Sequence, residues 1–90
     1  MASIKIPTPL RSLTNDEDTI VANASNLKEL IAEMENSHPG IAERLLDEND
    51  ELRRFVNVFI NGEDVRFLDG LDSPVRDDDE VSIVPAVAGG

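Results

Sequence analysis

The 90-residue sequence has no cysteine, no tryptophan, no tyrosine and a single histidine. Without cysteine there are no disulfides, no thiolate metal sites, no Fe–S clusters and no thiol nucleophile. His38 precedes Pro39 in a loop-like stretch. One histidine cannot form a multi-histidine zinc site, and no serine is marked as its nucleophile partner. Self-contained covalent or metal catalysis is not expected. Long apolar runs are missing as well: the longest are three residues, such as Val58-Phe59-Ile60 and Ala86-Val87-Ala88. A spanning helix needs about twenty apolar residues and a signal peptide at least about seven, so the expected compartment is the cytoplasm. Basic residues are scarce, with eight Lys and Arg against nineteen Asp and Glu for a formal charge of -11. That field repels phosphate backbones and anionic lipid, which argues against nucleic acid and membrane as partners. It favours encounter with a basic protein surface, although solubility or a salty cytoplasm accounts for the charge equally well.

Hydrophobic residues make up 40% of the chain, enough for one small core. Ser3-Ile4-Lys5-Ile6-Pro7 alternates as a short strand closed by Pro7 and Pro9, and Thr19 to Ala22 returns after the polar turn Asn15 to Asp18. Leu27, Leu30, Ile31 and Met34 share one face of a helix, with Asn26 as N-cap and Ser25 as an alternative. A short second helix is expected over Ile41 to Leu46, because Ile41 and Leu45 share a face. Phe55 to Ile60 is the strongest strand, with Val56, Val58 and Ile60 on one face and Phe55, Asn57 and Phe59 on the other. Asn61-Gly62 signals a hairpin, with Val65-Arg66-Phe67 as the short return strand. Asp69 to Asp79 reads as a long loop, and Glu80 to Val84 as the last strand. One helix between two hairpins covers one face of one sheet, an α+β layer pair. The expected core is Ile4, Ile6, Ile20, Leu27, Leu30, Ile31, Met34, Leu45, Val56, Val58, Ile60, Val81 and Ile83.

Beyond Pro85 the sequence runs Ala86-Val87-Ala88-Gly89-Gly90, with no charge and no bulky side chain after Val87. The expected division is a domain over residues 1–85 and a flexible C-terminal tail over residues 86–90. Five residues reach roughly 17 Å when extended, and two glycines make the end of that reach as thin as a polypeptide can be. A carboxylate that must enter a narrow active site of another protein needs this shape. An inert frayed end has the same composition.

The strand-strand-helix-strand-strand-strand order ending in Gly-Gly resembles the ubiquitin-like β-grasp sulfur carriers of the MoaD and ThiS type. Within them the chain is most similar to the carriers that deliver sulfur for cysteine biosynthesis. The stretches that carry the likeness are Ile6-Pro7-Thr8, Glu43-Arg44-Leu45, Arg54-Phe55-Val56-Asn57, Glu63-Asp64-Val65-Arg66-Phe67 and Pro85 to Gly90. The resemblance implies one mixed sheet with a helix packed across one face. It also implies an E1-like adenylating enzyme that uses ATP to activate Gly90, and a sulfur donor that then leaves a C-terminal thiocarboxylate there. The thiocarboxylate is a modification, and the carrier holds no cofactor of its own. The implied recipient is a synthase, either cysteine synthase or the large subunit of molybdopterin synthase, with a metalloprotease to release product.

Exposed aromatics on a sheet face mark partner sites, so Phe55 and Phe59, joined across the sheet by Val84, are candidates for docking. The alternative is that the loop Asp69 to Asp79 covers them. Arg53, Arg54 and Arg66 lie near this region as candidates for specific ion pairs, although such arginines are more often solvated, and Arg66 is placed with the docking residues. Asp77-Asp78-Asp79-Glu80 with Asp69 and Asp72 lacks the ligand order of an EF-hand loop and reads as a solvated turn. Two other functions stay open on sequence: a protein modifier joined to lysines through Gly90, and a plain binding module whose terminus does nothing.

Overall fold

A computed structural model describes residues 1–85. Strand β1 is Ala2–Lys5 and β2 is Thr19–Ala22, paired antiparallel with Ile4 opposite Ile20. The connection between them is not plain coil. Pro7 and Pro9 stop the strand as expected, but Thr8–Leu13 then winds into a 3-10 turn that drives Leu10 into the core. A proline at the start of a helical turn sacrifices no needed amide, so the same residues that end a strand can start this turn. Asn15 and Asp16 follow with positive φ (55° and 65°), in a turn closed by Thr14, whose hydroxyl donates to the carbonyl of Glu17 at 2.9 Å.

Helix α1 is Leu27–Ser37. The Asn26 side chain accepts from the backbone N–H of Glu29 at 2.8 Å, so Asn26 and not Ser25 is the cap. The Glu29 carboxylate returns to the Ser25 amide at 3.2 Å, one residue before the position a strict capping box would use. Helix α2, Ile41–Leu45, follows Gly40 at φ 101°, a conformation that favours glycine. Strand β3 is Val56–Ile60, β4 is Glu63–Asp64 and β5 is Glu80–Pro85. The sheet order is β2-β1-β5-β3-β4, with β1 and β5 parallel and the other neighbours antiparallel. This mixed five-stranded sheet with the helices on one face is the ubiquitin-like β-grasp arrangement.

All thirteen expected core residues are buried. Ala2, Leu10, Ile41, Val65 and Val75 join them. The hairpin over Asn61 and Gly62 forms, with φ of 52° and 87°, but its return strand corrects the sequence reading. Glu63–Asp64 pairs with β3, and Val65–Phe67 is a 3-10 turn. The Asp64 carboxylate accepts from the Arg66 amide at 2.9 Å and starts this turn. Val65 is thereby fully buried while Phe67 is 88% exposed, which no strand alternation could produce. The expected loop from Asp69 to Asp79 contains a further 3-10 turn, Gly70–Asp72. It is stitched to the start of α1: the amide of Leu27 donates to Ser73 and the amide of Val75 to Ser25, both at 3.0 Å.

Candidate docking surface and tail root

The expected tail, residues 86–90, lies outside the described residues, and with it Ala86, Val87, Ala88, Gly89 and Gly90. Its root is described. Pro85 pairs with Val56 at the last rung of the ladder between β5 and β3. Proline has no amide to donate, so the described ladder ends on a residue that adds no N–H to it. Because β5 lies between β1 and β3, the root stands at the end of a central strand and not at a sheet edge.

Beside that root is a groove of about 480 Å³, lined by Leu10, Glu43, Arg44, Arg53, Phe55, Val56, Ile83 and Pro85. Phe55 is 51% exposed and precedes β3, so the alternation that paired it with Phe59 in the sequence does not reach it. The structure brings Phe55 together with Pro85, whereas Phe59 stands further along the strand, half-buried, opposite Ser82 and Asp64. Val84 pairs with Asn57 on the same outer face as Phe59 and is 46% exposed. That face carries no second layer among the described residues. The loop from 69 to 79 is tied to α1, on the other side of the sheet, and so does not cover these aromatics.

Arg53 and Arg66 take neither the candidate ion pairs nor a purely solvated state. Arg53 donates through Nε and Nη2 to the carbonyl oxygen of Glu43 at 3.1 and 3.0 Å, fastening α2 to the approach to β3. Arg66 donates to Asn57 Oδ1 and to backbone carbonyls before and within β3. Among the described residues neither is within ion-pair distance of a carboxylate; the two pairs present are Lys5 with Glu80 and the Met1 amine with Asp77. The reason is geometric, since a planar guanidinium reaching across a turn meets a ring of carbonyls first.

Charge shifts in this fold follow local hydrogen bonds. Glu80, hydrogen-bonded and opposite in charge, raises the Lys5 pKa on the outer face. The Asn61 side-chain amide, with the Arg76 backbone N–H, holds Asp79 below the ordinary carboxylate value. The backbone N–H groups of Gly40 and Ala42 do the same for Glu35.

Sequence reasoning missed the far wall of the groove, Leu10, Glu43 and Arg44, because these come from a 3-10 turn and a short helix distant along the chain. The one local signal was Glu43-Arg44-Leu45, a stretch that also carries the family likeness. It missed the exposure of Phe67 and Leu68 because the expected return strand was set two residues late.

A family model described as the ThiS family matches residues 4–90. The sulfur carrier protein CysO of Mycobacterium tuberculosis (strain ATCC 25618 / H37Rv) is 43% identical over 90 residues, covering 98% of this chain and 97% of that protein. A chain in the crystal structure of the Amycolatopsis orientalis BexX/CysO complex superposes with a TM-score of 0.94 at 44% identity, covering all of both chains (100% each). The small archaeal modifier protein 3 of Haloferax volcanii is 37% identical over 70 residues, covering 78% of this chain and 75% of that protein. With fold, length and sequence in agreement, the chain belongs to the ThiS family and is a ubiquitin-like sulfur carrier, not itself an enzyme.

Proposed function

We propose that this carrier holds sulfur as a thiocarboxylate on Gly90 and delivers it for cysteine biosynthesis. The observation that carries this reading is the whole-length likeness to the sulfur carrier CysO, tail included. The chemistry explains why a partner is required. A terminal carboxylate has a pKa of about 3.5, so near neutral pH it is ionised and a poor electrophile. An E1-like enzyme would join it to the α-phosphorus of ATP, expelling pyrophosphate and leaving an acyl adenylate. A sulfur donor then attacks the acyl carbon and AMP departs with the oxygen. The carrier supplies no side chain to either step. ATP is the enzyme's substrate, not a cofactor of this chain.

The partner that activates Gly90 would dock on Phe59 and Val84 of the outer face and on Phe55, which stands beside Pro85 at the tail root. A CysO chain is found in a complex with BexX, which supports docking of such carriers on a protein partner. The recipient in this reading is a cysteine synthase, with a metalloprotease releasing product; the molybdopterin synthase large subunit is the competing recipient.

The test is incubation with the cognate E1-like enzyme, ATP and a sulfide source, read by intact-mass and fragment spectra. Replacement of one oxygen by sulfur is expected at Gly90, only with ATP. Sulfur gained without ATP, or on another residue, would end the proposal. Transfer to a cysteine synthase but not to a molybdopterin synthase should follow. A second reading, a protein modifier joined through Gly90, is favoured by the likeness to the Haloferax modifier. Isopeptide-linked conjugates in cell extracts would support it.

A further inference from the structure

Arg66 belongs to the turn after β4, yet its guanidinium works on a different segment. Nη1 donates to Asn57 Oδ1 at 2.6 Å. Nη2 donates to the carbonyls of Val56 at 2.8 Å and Arg53 at 2.9 Å, with that of Arg54 at 3.5 Å. The carbonyls of Arg53 and Arg54 lie before β3 and have no ladder partner. The Arg53 carbonyl also accepts from the Val56 amide at 3.0 Å, which closes a tight turn from Arg53 to Val56. Arg66 therefore spans this turn from outside and ties it to the first outward side chain of the strand.

The anchor is itself fixed. The Arg66 amide is held by Asp64, and the neighbouring Val65 is fully buried. The turn it spans carries three residues of the tail-root groove: Arg53, whose side chain is fastened to Glu43, Phe55, half exposed beside Pro85, and Val56, which opens β3. Every acceptor that Arg66 engages is neutral. A planar fork with several N–H groups suits that set, whereas a lysine ammonium could serve only part of it.

We infer that Arg66 is a positioning residue: it holds the Arg53–Val56 turn so that Phe55 stands beside the root of the tail, and it is not itself a contact for the activating partner. The inference deepens the docking reading above and rests on it only for its effect on activation.

Two measurements test it. In the carrier alone, amide hydrogen exchange of Val56 should quicken about tenfold in Arg66→Ala, the size of losing one charged hydrogen bond around the turn. Arg66→Lys should quicken it nearly as much, because charge without the fork does not span the turn. Wild-type exchange in both variants would overturn the inference. With the cognate activating enzyme, Arg66→Ala and Phe55→Ala should each raise KM with kcat unchanged. The double variant should be no worse than Phe55→Ala, since a residue acting through another adds nothing once that other is gone. Multiplying effects, or full rescue by Arg66→Lys, would make Arg66 a charge contact with the enzyme and overturn the inference. If the wild-type carrier is not activated at all, the sulfur-transfer reading fails, and the exchange measurement still decides whether Arg66 holds the turn.

Discussion

Glu35 joins two helices with one carboxylate, which accepts from the amides of Gly40 at 3.0 Å and Ala42 at 2.9 Å. Both amides belong to the start of α2, where N–H groups otherwise lack partners. These bonds hold the folded-state pKa of Glu35 below its ordinary value of 4.5. A carboxyl group with a lowered folded pKa contributes stability that is whole above the unfolded value and is lost as pH falls through the folded one. The melting temperature should therefore decline below about pH 4.5, and Glu35→Gln should flatten that decline while lowering stability at neutral pH. An unchanged acid slope in the variant would remove Glu35 from the account. At the tail the relevant property is shape. Gly89→Val should leave the melting temperature unaltered, because the position lies beyond β5, yet stop adenylation, because a β-branched residue stiffens and widens the thread. Normal adenylation of this variant would mean that no narrow channel is entered.

At the scale of elements, β3 divides its side chains between two tasks. Val56, Val58 and Ile60 are buried, while Phe59 lies half-buried on the face opposite the helices. Truncating an aromatic at the centre of an interface commonly costs 2 kcal/mol or more, about a thirtyfold loss of affinity. Phe59→Ala should weaken binding to the activating enzyme by about that factor while barely moving the melting temperature. A large thermal loss with unchanged affinity would put Phe59 to structural use instead. The elements most legible in the sequence were those with a strict period: α1, where Leu27, Leu30, Ile31 and Met34 repeat every third or fourth residue, and β3 and β5, which alternate. The illegible ones were the 3-10 turns. Six residues at Thr8–Leu13 and three at Val65–Phe67 are too short to show a period, and in each a side-chain or proline effect outweighs the apolar pattern. The groove was illegible for a different reason. Its walls meet only after α2 has folded back toward β3 through the bond from Arg53 to Glu43.

For the whole molecule, nineteen Asp and Glu face eight Lys and Arg for a net charge of -11, and among the described residues only two exposed ion pairs form. Self-repulsion of this size destabilises the compact state and is screened by salt, whose Debye length falls from about 30 Å at 0.01 M to about 10 Å at 0.1 M. The melting temperature should climb over that range of sodium chloride, and a flat or falling trend would show the acidic groups to be too well spaced to matter. Association with a basic partner should slow over the same range, leaving the Phe59 effect in place. The parallel rung between Ile4 and Val81 has a further consequence, for synthesis. A ribosome makes β1 well before β5, and the sheet has a gap at its centre until β5 arrives. Before then the two hairpins are separate pieces with open edges, and the nascent chain is prone to aggregate. A chain broken off before β5 lacks the strand that joins the two hairpins, so truncated products should be susceptible to proteolysis, as limited digestion would show. Completion of the sheet thus waits on β5, the strand whose last described residue, Pro85, is the root of the tail.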